Sequence, residues 1–322
     1  MRVVQVQDLD DTSGLTRGGV ATLGVFDGVH LGHQRILSRL IDRSREEQVA
    51  SIVLTFAVHP VTVLRGLPAR LITSLPHRLR LFEKLGVSEC VVLPFDDSVR
   101  CLEAVEFSRR IFQQALALKG LVLGRDARIG CDGKGNLEFL DQFCRANRIW
   151  LEVIEDLRVD DVRVSSTRIR AAIADGDLVR AARMLGREWS MLGTVIRGDE
   201  RGRKLGFRTA NLDLRHEIRP PPGVYAGTVR KNGDQHACVV NVGIRPTFGP
   251  DGDLTVEAHL LDFDSDLYGA ELELTLLHRV RAEKRFENRE ALIRQITADI
   301  AEARRFLADK GPFFGSGLPR RP

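Results

Sequence analysis

A parallel α/β sheet followed by a smaller antiparallel β-barrel with a terminal helix is the architecture this sequence predicts. Three observations carry that expectation. Apolar runs of strand length alternate with amphipathic stretches through the first half, the alternation stops near residue 187, and strand-like runs without long intervening helices fill the second half. A chain of 322 residues exceeds one ordinary domain, so the expected division is 1–186, 187–310 and a loose tail rich in Gly, Pro and Arg at 311–322.

In chain order, the strands of the first half are expected at 20–26, 51–56, 90–95, 120–124 and 149–154. After Gly32, the residues Ile36, Leu37, Leu40 and Ile41 share one helical face, with Arg35, Arg39, Asp42 and Arg43 elsewhere, which predicts a helix lying on a sheet. Between 165 and 187 the chain is rich in Ala and Arg, and Gly176 and Gly186 are placed as helix stops, so one or two short helices are expected. Beyond Trp189 come strands at 191–196, 224–229, 237–242, 255–261 and 271–278, the spacing of a small barrel or sandwich. A helix over 289–307 offers Leu292, Ile293, Ile296, Ile300 and Leu307 to cover one side of it.

Composition narrows the function classes. A 43% hydrophobic and 29% charged chain excludes disorder and low complexity. The formal charge of +4, from 48 basic and 44 acidic residues, is too balanced to imply a nucleic-acid partner, while a pI of about 8.9 suits small anionic substrates. No apolar run is long enough to span a membrane, and residues 1–11 lack the basic and apolar regions of a signal peptide. Five cysteines without a CxxC pair indicate neither a disulfide framework nor a zinc cage, so a reducing cytoplasm is the expected compartment.

The first motif is the run from Gly24 to His33, which includes Phe26, Asp27, Gly28 and His30 and links a strand to the amphipathic helix. Glycines let backbone approach a phosphate, a helix N-terminus presents N–H groups to it, and two imidazoles three residues apart can donate to the same group. Alone, His-x-x-His also fits a surface pair or part of a metal site. A second cluster, Arg163 to Arg170, sets Arg163, Arg168 and Arg170 around Ser165, Ser166 and Thr167. Its hydroxyls can cap a helix, and its guanidiniums match phosphate oxygens. The stretch from Gly130 to Gly135 lacks the spacing and the Ser or Thr of a Walker A loop and reads as a mobile loop near the site.

Together with Thr55-Phe56 and His59-Pro60, these two runs resemble the adenylyltransferase module of the bacterial bifunctional riboflavin kinase/FMN adenylyltransferases, or FAD synthetases. The resemblance implies a Rossmann-like nucleotidyltransferase fold in which His30 and His33 bind ATP phosphates. It also implies that Arg163, Ser166, Thr167 and Arg168 help hold the nucleotide, with Asp126 beside it. One departure is visible: Ala127 and Ile129 stand where the family usually carries aromatics.

In the second half, a strand at 191–196 runs into a loop with Gly198, Gly202 and Gly206, and Arg203 and Lys204 can neutralise phosphate charge. The same residues suit an ordinary Gly-rich hairpin. Thr209 and Asn211, two apart on an extended segment, offer neutral oxygens on one side, as a hard cation such as Mg²⁺ accepts. This segment resembles the riboflavin kinase signature, as do Pro222 to Tyr225, Asn241 to Gly243, Pro246 to Phe248 and Glu257 to Gly269. The resemblance implies a riboflavin kinase-like barrel, Mg²⁺ and ATP held by Thr209 and Asn211, and Glu257 as the base for the riboflavin hydroxyl. It places the flavin ring near 281–286, where Arg281, Glu283 and Phe286 stand. Here Arg208 replaces the family's proline, and a less preorganised ligand segment is expected.

The implied chemistry is riboflavin plus ATP to FMN in the second half and FMN plus ATP to FAD and pyrophosphate in the first, each with Mg²⁺. Two alternatives stand beside it: a flavin-binding or regulatory homologue with weakened activity, and an adenylyltransferase for another phosphorylated acceptor.

Overall fold

Strands buried on both faces read as near-continuous apolar runs, and the central ones of the first unit do so, interrupted only by the buried Thr22, Ser51, Thr55 and Glu89. The computed structural model describes residues 1–9, 12–66, 69–198, 206–214, 217–244 and 254–310. In it β1 (Arg2–Gln5), β2 (Val20–Leu23), β3 (Ser51–Phe56), β4 (Glu89–Leu93), β5 (Gly120–Gly124) and β6 (Trp150–Ile154) form one sheet in the order β1-β4-β3-β2-β5-β6, with every pair parallel. Side chains alternate between two cores, as a period of two requires. Ala21, Ile52, Leu54, Val91, Leu93, Leu121 and Leu123 point to one, and Val20, Val53, Cys90, Val92 and Val122 to the other.

Helices cover both faces. The expected helix after Gly32 is α1 (Leu31–Glu46), which buries Leu37, Leu40 and Ile41. It is followed by α2 (Pro60–Arg65) and by α3 (Leu75–Leu85), whose Leu81 and Phe82 join the same core as α1. Against the opposite face lie α4 (Asp97–Arg100), α5 (Ala104–Phe107) with its π-helical continuation Ser108–Ala115, and α6 (Leu137–Ala146). A short hairpin, β7 (Arg158–Val159) and β8 (Val162–Arg163), follows β6.

Two local expectations are corrected, and one strand is added. The Val and Gln alternation at the N-terminus is an edge strand, β1, paired with β4. The first expected strand stops at Leu23 instead of residue 26, because Phe26 takes a left-handed φ of 53° that no strand accommodates. The stretch from Gly130 to Gly135 is packed down: Ile129 bridges Gly135, Cys131 N donates to Leu102 O at 2.6 Å, and a Cβ at Gly130 would lie 2.5 Å from the Ala104 nitrogen.

Contacts divide the chain into Met1–Ala69 with Leu75–Ser165, and Arg70–Ser74 with Ser166–Pro322. The second unit opens with α7 (Ser166–Ala174) and α8 (Leu178–Leu185), stopped by the left-handed glycines Gly176 and Gly186 as the sequence implies. Its segment Arg70–Ser74 is held by Ile218 N donating to Leu71 O (2.6 Å) and Ser74 N donating to Glu217 Oε1 (2.7 Å). Then come β9 (Ser190–Ile196), β10 (Ala210–Asp213), β11 (Gly223–Lys231), β12 (Asp234–Ile244), β13 (Leu254–Leu260) and β14 (Glu271–Ala282), closed as β10-β13-β12-β11-β14-β9. Register shifts in β11 at Val224/Tyr225 and Ala226/Gly227 bend the sheet toward closure. Gly227, where a Cβ would lie 2.2 Å from Thr275 O, lets β14 approach.

The terminal helix α9 (Arg289–Asp309) covers one side of the barrel: Ile300, Ala303 and Phe306 pack on Val224, Ala226 and Val239. Its most buried residues are Asp299 and Ala303, whereas the expected apolar set of Leu292, Ile293, Ile296, Ile300 and Leu307 is half-buried.

Candidate functional site

In the sheet of the first unit, β3 and β4 lie on one side of β2 and β5 and β6 on the other. Chain leaving the C-terminal ends of β2 and β5 therefore diverges and opens a crevice, the position where open α/β sheets bind ligands. Gly24 to His33 follows β2 and Asp126 follows β5, so both flank it.

Packing shapes the turn after β2. Phe26 (φ 53°), Gly28 (83°) and Val29 (41°) are left-handed, a strained choice for two non-glycine residues that costs about 1–3 kcal/mol each. Burial of both side chains in the core under α1 holds them there. Beyond the turn His30 caps α1, its Nδ1 accepting His33 N–H at 3.2 Å, and the two imidazoles stack with centroids 3.5 Å apart and planes 16° apart. With Nδ1 accepting, the proton of neutral His30 sits on Nε2, a donor of the kind phosphate oxygens take. Gly32 leaves room for this ring, since a Cβ there would come within 3.2 Å of it, and Gly24 leaves the same room for Phe26. The first turn of α1 carries no acidic residue, so no side chain of that turn offsets the positive helix end.

Buried polar side chains fix the loop from below. Thr55 Oγ1 and the Arg78 guanidinium both donate to Val25 O, and Gln34 Nε2 donates to Val29 O at 2.9 Å. Asp27 is buried and interacts electrostatically with Arg78. Burial holds the Arg78 pKa below its ordinary value, with Asp27 opposing the shift.

Arg163 is brought to Asp126 as an ion pair and also meets Asp156 at 3.0 Å. Ser166, Thr167 and Arg168 open α7, which belongs to the second unit, and Thr167 and Arg168 are exposed. Ala127 and Ile129, the positions that depart from the aromatic pattern, pack into the core of the first unit.

On the barrel, register gathers the second set. Asn211 of β10 sits opposite Glu257 of β13, and Glu257 sits opposite Asn241 of β12. Directly paired residues share a face. Their sequence neighbours Ala210, Leu212, Val256, Ala258, Val240 and Val242 are buried, whereas Asn211, Glu257 and Asn241 are not. Asn211 lies on Gly198, where a Cβ would come 2.2 Å from its amide nitrogen. The same row continues through Val224 to Arg281. Arg281 makes a forked pair with Asp299 of α9 at 2.9–3.0 Å, and its guanidinium lies 5.5 Å from the Phe286 ring centroid. Glu283 reaches the flank of Gly243 beside the Asn241 amide: both are within 3.2 Å of where a Gly243 Cβ would stand. Gly206 has a left-handed φ of 91°, and Gly202 and Arg203 lie outside the described residues.

A cavity of about 320 Å³ opens beside Thr209, walled by Val195, Ala258, Leu260 and Phe263 and rimmed by Arg208 and Tyr268. Arg208 replaces a stiffening proline yet is tethered: His259 Nδ1–H donates to its carbonyl at 2.7 Å and its guanidinium pairs with Asp264. Thr209 and Asn211 supply neutral oxygens and Glu257 a carboxylate, the hard donors that fit Mg²⁺ alongside phosphate and water. Among the described residues, no group of three or more His, Cys, Asp and Glu could hold a metal by itself.

Sequence reasoning placed Asn241 in the kinase-like signature without giving it a role, and left Asp299 and Arg78 out of the expected sites. Asn241 was findable, as a polar residue in phase with Asn211 and Glu257 on alternating strands. Asp299 and Arg78 carried no such signal.

A family model for FAD synthetase matches residues 13–168, and one for riboflavin kinase matches 185–307. A bifunctional riboflavin kinase/FMN adenylyltransferase of Pseudomonas fluorescens is 39% identical over 294 residues, covering 91% of this chain and 94% of the relative. The corresponding protein of Escherichia coli K12 is 35% identical, covering 90% and 93%. A solved structure described as a macrolide-efflux protein from Streptococcus pneumoniae superposes with a TM-score of 0.81 at 30% identity, covering 94% of this chain and 99% of that one. Among the described residues, no helix is long and apolar enough to cross a membrane.

Proposed function

The chain belongs to the family of bifunctional riboflavin kinase/FMN adenylyltransferases, and we propose that the two clusters just described carry its two activities. It is a transferase that phosphorylates riboflavin to FMN and adenylylates FMN to FAD. The stacked His30–His33 pair at the N-terminus of α1, on the crevice where the sheet order reverses, supports placing adenylyl transfer in the first unit most strongly.

In that reading the FMN phosphate oxygen attacks the α-phosphorus of ATP, and the bond to pyrophosphate breaks. His30, His33 and the N-terminal amides of α1 stabilise the charge that builds on the phosphoryl oxygens and on the leaving group. Gly24, Phe26, Asp27 and Gly28 shape the phosphate cradle, while Asp126 and Arg163 border it. Ser166, Thr167 and Arg168 are proposed as further nucleotide contacts.

On the barrel, Glu257 accepts the proton of the riboflavin 5′-hydroxyl while that oxygen attacks the γ-phosphorus and ADP leaves. Asn211 and Thr209 would hold Mg²⁺ with the ATP phosphates, and the ion when bound would neutralise phosphate charge. The cavity beside Thr209 takes the nucleotide base, and Gly198, Gly202, Arg203 and Gly206 the phosphates. Arg281, Glu283 and Phe286 border the flavin, and pairing with Asp299 keeps Arg281 beside Phe286. The cytoplasm is the proposed compartment.

Retention of both polar sets, each on one surface, argues against a merely flavin-binding homologue, and the riboflavin kinase match argues against an adenylyltransferase for another acceptor. Crossed variants test the assignment. His33→Ala is expected to lower FAD formation from FMN at least 100-fold while riboflavin phosphorylation persists, the size of effect of losing one charge-stabilising donor. Glu257→Ala is expected to lower FMN formation 100-fold or more and leave added FMN convertible to FAD. Chromatographic separation of FMN and FAD reads both, and parental rates of the targeted step in either variant reject that half.

A further inference from the structure

Arg78 is the one fully buried guanidinium among the largest side chains of the described core, at 1% exposure, and it lies on α3, outside both motif runs. A cation in a protein interior is costly unless specific partners hold it. Its surroundings are the turn that leads to the two imidazoles. It donates to the carbonyl of Val25 and interacts with the buried carboxylate of Asp27. Between Val25 and His30 the backbone passes through three left-handed residues, Phe26, Gly28 and Val29. Such a turn stays in place only where its surroundings over-determine it.

We propose that Arg78 is a positioning residue for adenylyl transfer. Resting on the assignment of His30 and His33 to the ATP phosphates, the inference is that the Arg78 guanidinium anchors Val25 and Asp27. That anchor holds the Phe26–Val29 turn and sets the stacked imidazoles where charge develops. Arg78 reaches the phosphates only through this loop and the field of its own charge. Asp27 then serves as the counter-ion of the anchor as well as part of the loop. The chemistry distinguishes the candidates for replacement: lysine keeps the charge and one donor, whereas glutamine keeps donors and loses the charge.

The test uses the full chain with FMN, ATP and Mg²⁺, with riboflavin phosphorylation measured in the same samples. Arg78→Gln is expected to lower kcat for FAD formation about 30- to 100-fold, the scale of an ångström-level misplacement, with FMN formation unchanged and a native melting transition. Arg78→Lys is expected to recover kcat to within about 5-fold of the parent. The ¹⁵N resonances of the His30 and His33 rings are expected to move in the glutamine variant while that of His278 on the barrel stays. Parental kcat in Arg78→Gln overturns the inference. So does a lysine variant as inactive as the glutamine variant, or a loss that only follows the unfolded fraction; should the glutamine variant fail to fold, the kcat and imidazole resonances of the lysine variant decide in the same way. His33→Ala run alongside separates the two ideas, because parental FAD formation in that variant sinks the site assignment itself, whatever Arg78 does.

Discussion

Single residues set the geometry of the barrel site more tightly than the strands do. Asn211 is opposite Glu257 by register, yet its amide is seated by Gly198, whose missing side chain is the space the amide fills. A Cβ at Gly198 would stand 2.2 Å from the Asn211 nitrogen, closer than any real contact, and the flexible amide is what yields. Gly198→Ala is therefore expected to leave the melting transition unchanged and to lower kcat for riboflavin phosphorylation about 100-fold, with FAD formation from FMN intact. A melting loss matched by both activities would show that Gly198 serves the fold instead. Arg208 teaches a related lesson. Losing a proline at that position predicts a looser segment, but the His259 donor on the Arg208 carbonyl and the Arg208–Asp264 pair replace a covalent constraint with two side-chain ones. Neither partner is near in sequence, so the compensation was not legible there.

Among the elements, α9 shows where periodicity informs and where it misleads. The pattern of apolar residues located the helix and implied that it covers a side of the barrel, because a helical face must be apolar to bury, but of the expected residues only Ile300 joins the packed set with Ala303 and Phe306. It did not single out Asp299, which in sequence is one more acid on a charged helix. That carboxylate is only 4% exposed and receives the fork of Arg281 from β14, while Gln295 donates to it at 2.9 Å. Removing one partner strands the other in a largely dry site, at a cost on the order of 3 kcal/mol. Asp299→Ala is thus expected to lower the melting midpoint by about 5–10 °C and to weaken riboflavin phosphorylation through the displaced Arg281, with Asp299→Asn milder on both counts. Unchanged melting in Asp299→Ala would remove the pair from the account of how α9 docks. The helix α1 was legible by the same rule, since Ile36, Leu37, Leu40 and Ile41 recur on one face and three of them are buried; the side chains that hold the turn before it, Thr55 and Arg78, come from distant elements and were not.

At the scale of the whole chain, the parallel sheet and the barrel were readable because strand-length runs alternate with amphipathic helices in the first half and follow one another without them in the second. The short strands β1 and β10 were not, having four residues each and no apolar run. Nor was the assignment of Arg70–Ser74 to the second unit, since the bond from Ser74 to Glu217 spans 143 residues. The same separation of buried from exposed surface governs the five thiols. Cys90, Cys144 and Cys238 are buried, and burial raises all three, Cys90 to about 12 and Cys144 to about 11, whereas Cys101 is exposed. In the unfolded chain thiols ionise near pH 8.5. Above that pH the folded state keeps protons that the unfolded state has lost, so stability falls as pH rises; the contribution is fully present below about pH 8.5 and fades toward pH 11–12. Denaturant midpoints measured from pH 7 to 10 are expected to decrease above pH 8.5, and replacing Cys90 and Cys144 with alanine should flatten that decline while lowering the midpoint at pH 7. Maleimide at pH 8 is expected to label Cys101 in the folded protein and to reach Cys90, Cys144 and Cys238 only on unfolding. Labelling of any of those three at the rate of Cys101, in protein that still melts cooperatively, would mean that the interior around that thiol admits water where the packing excludes it.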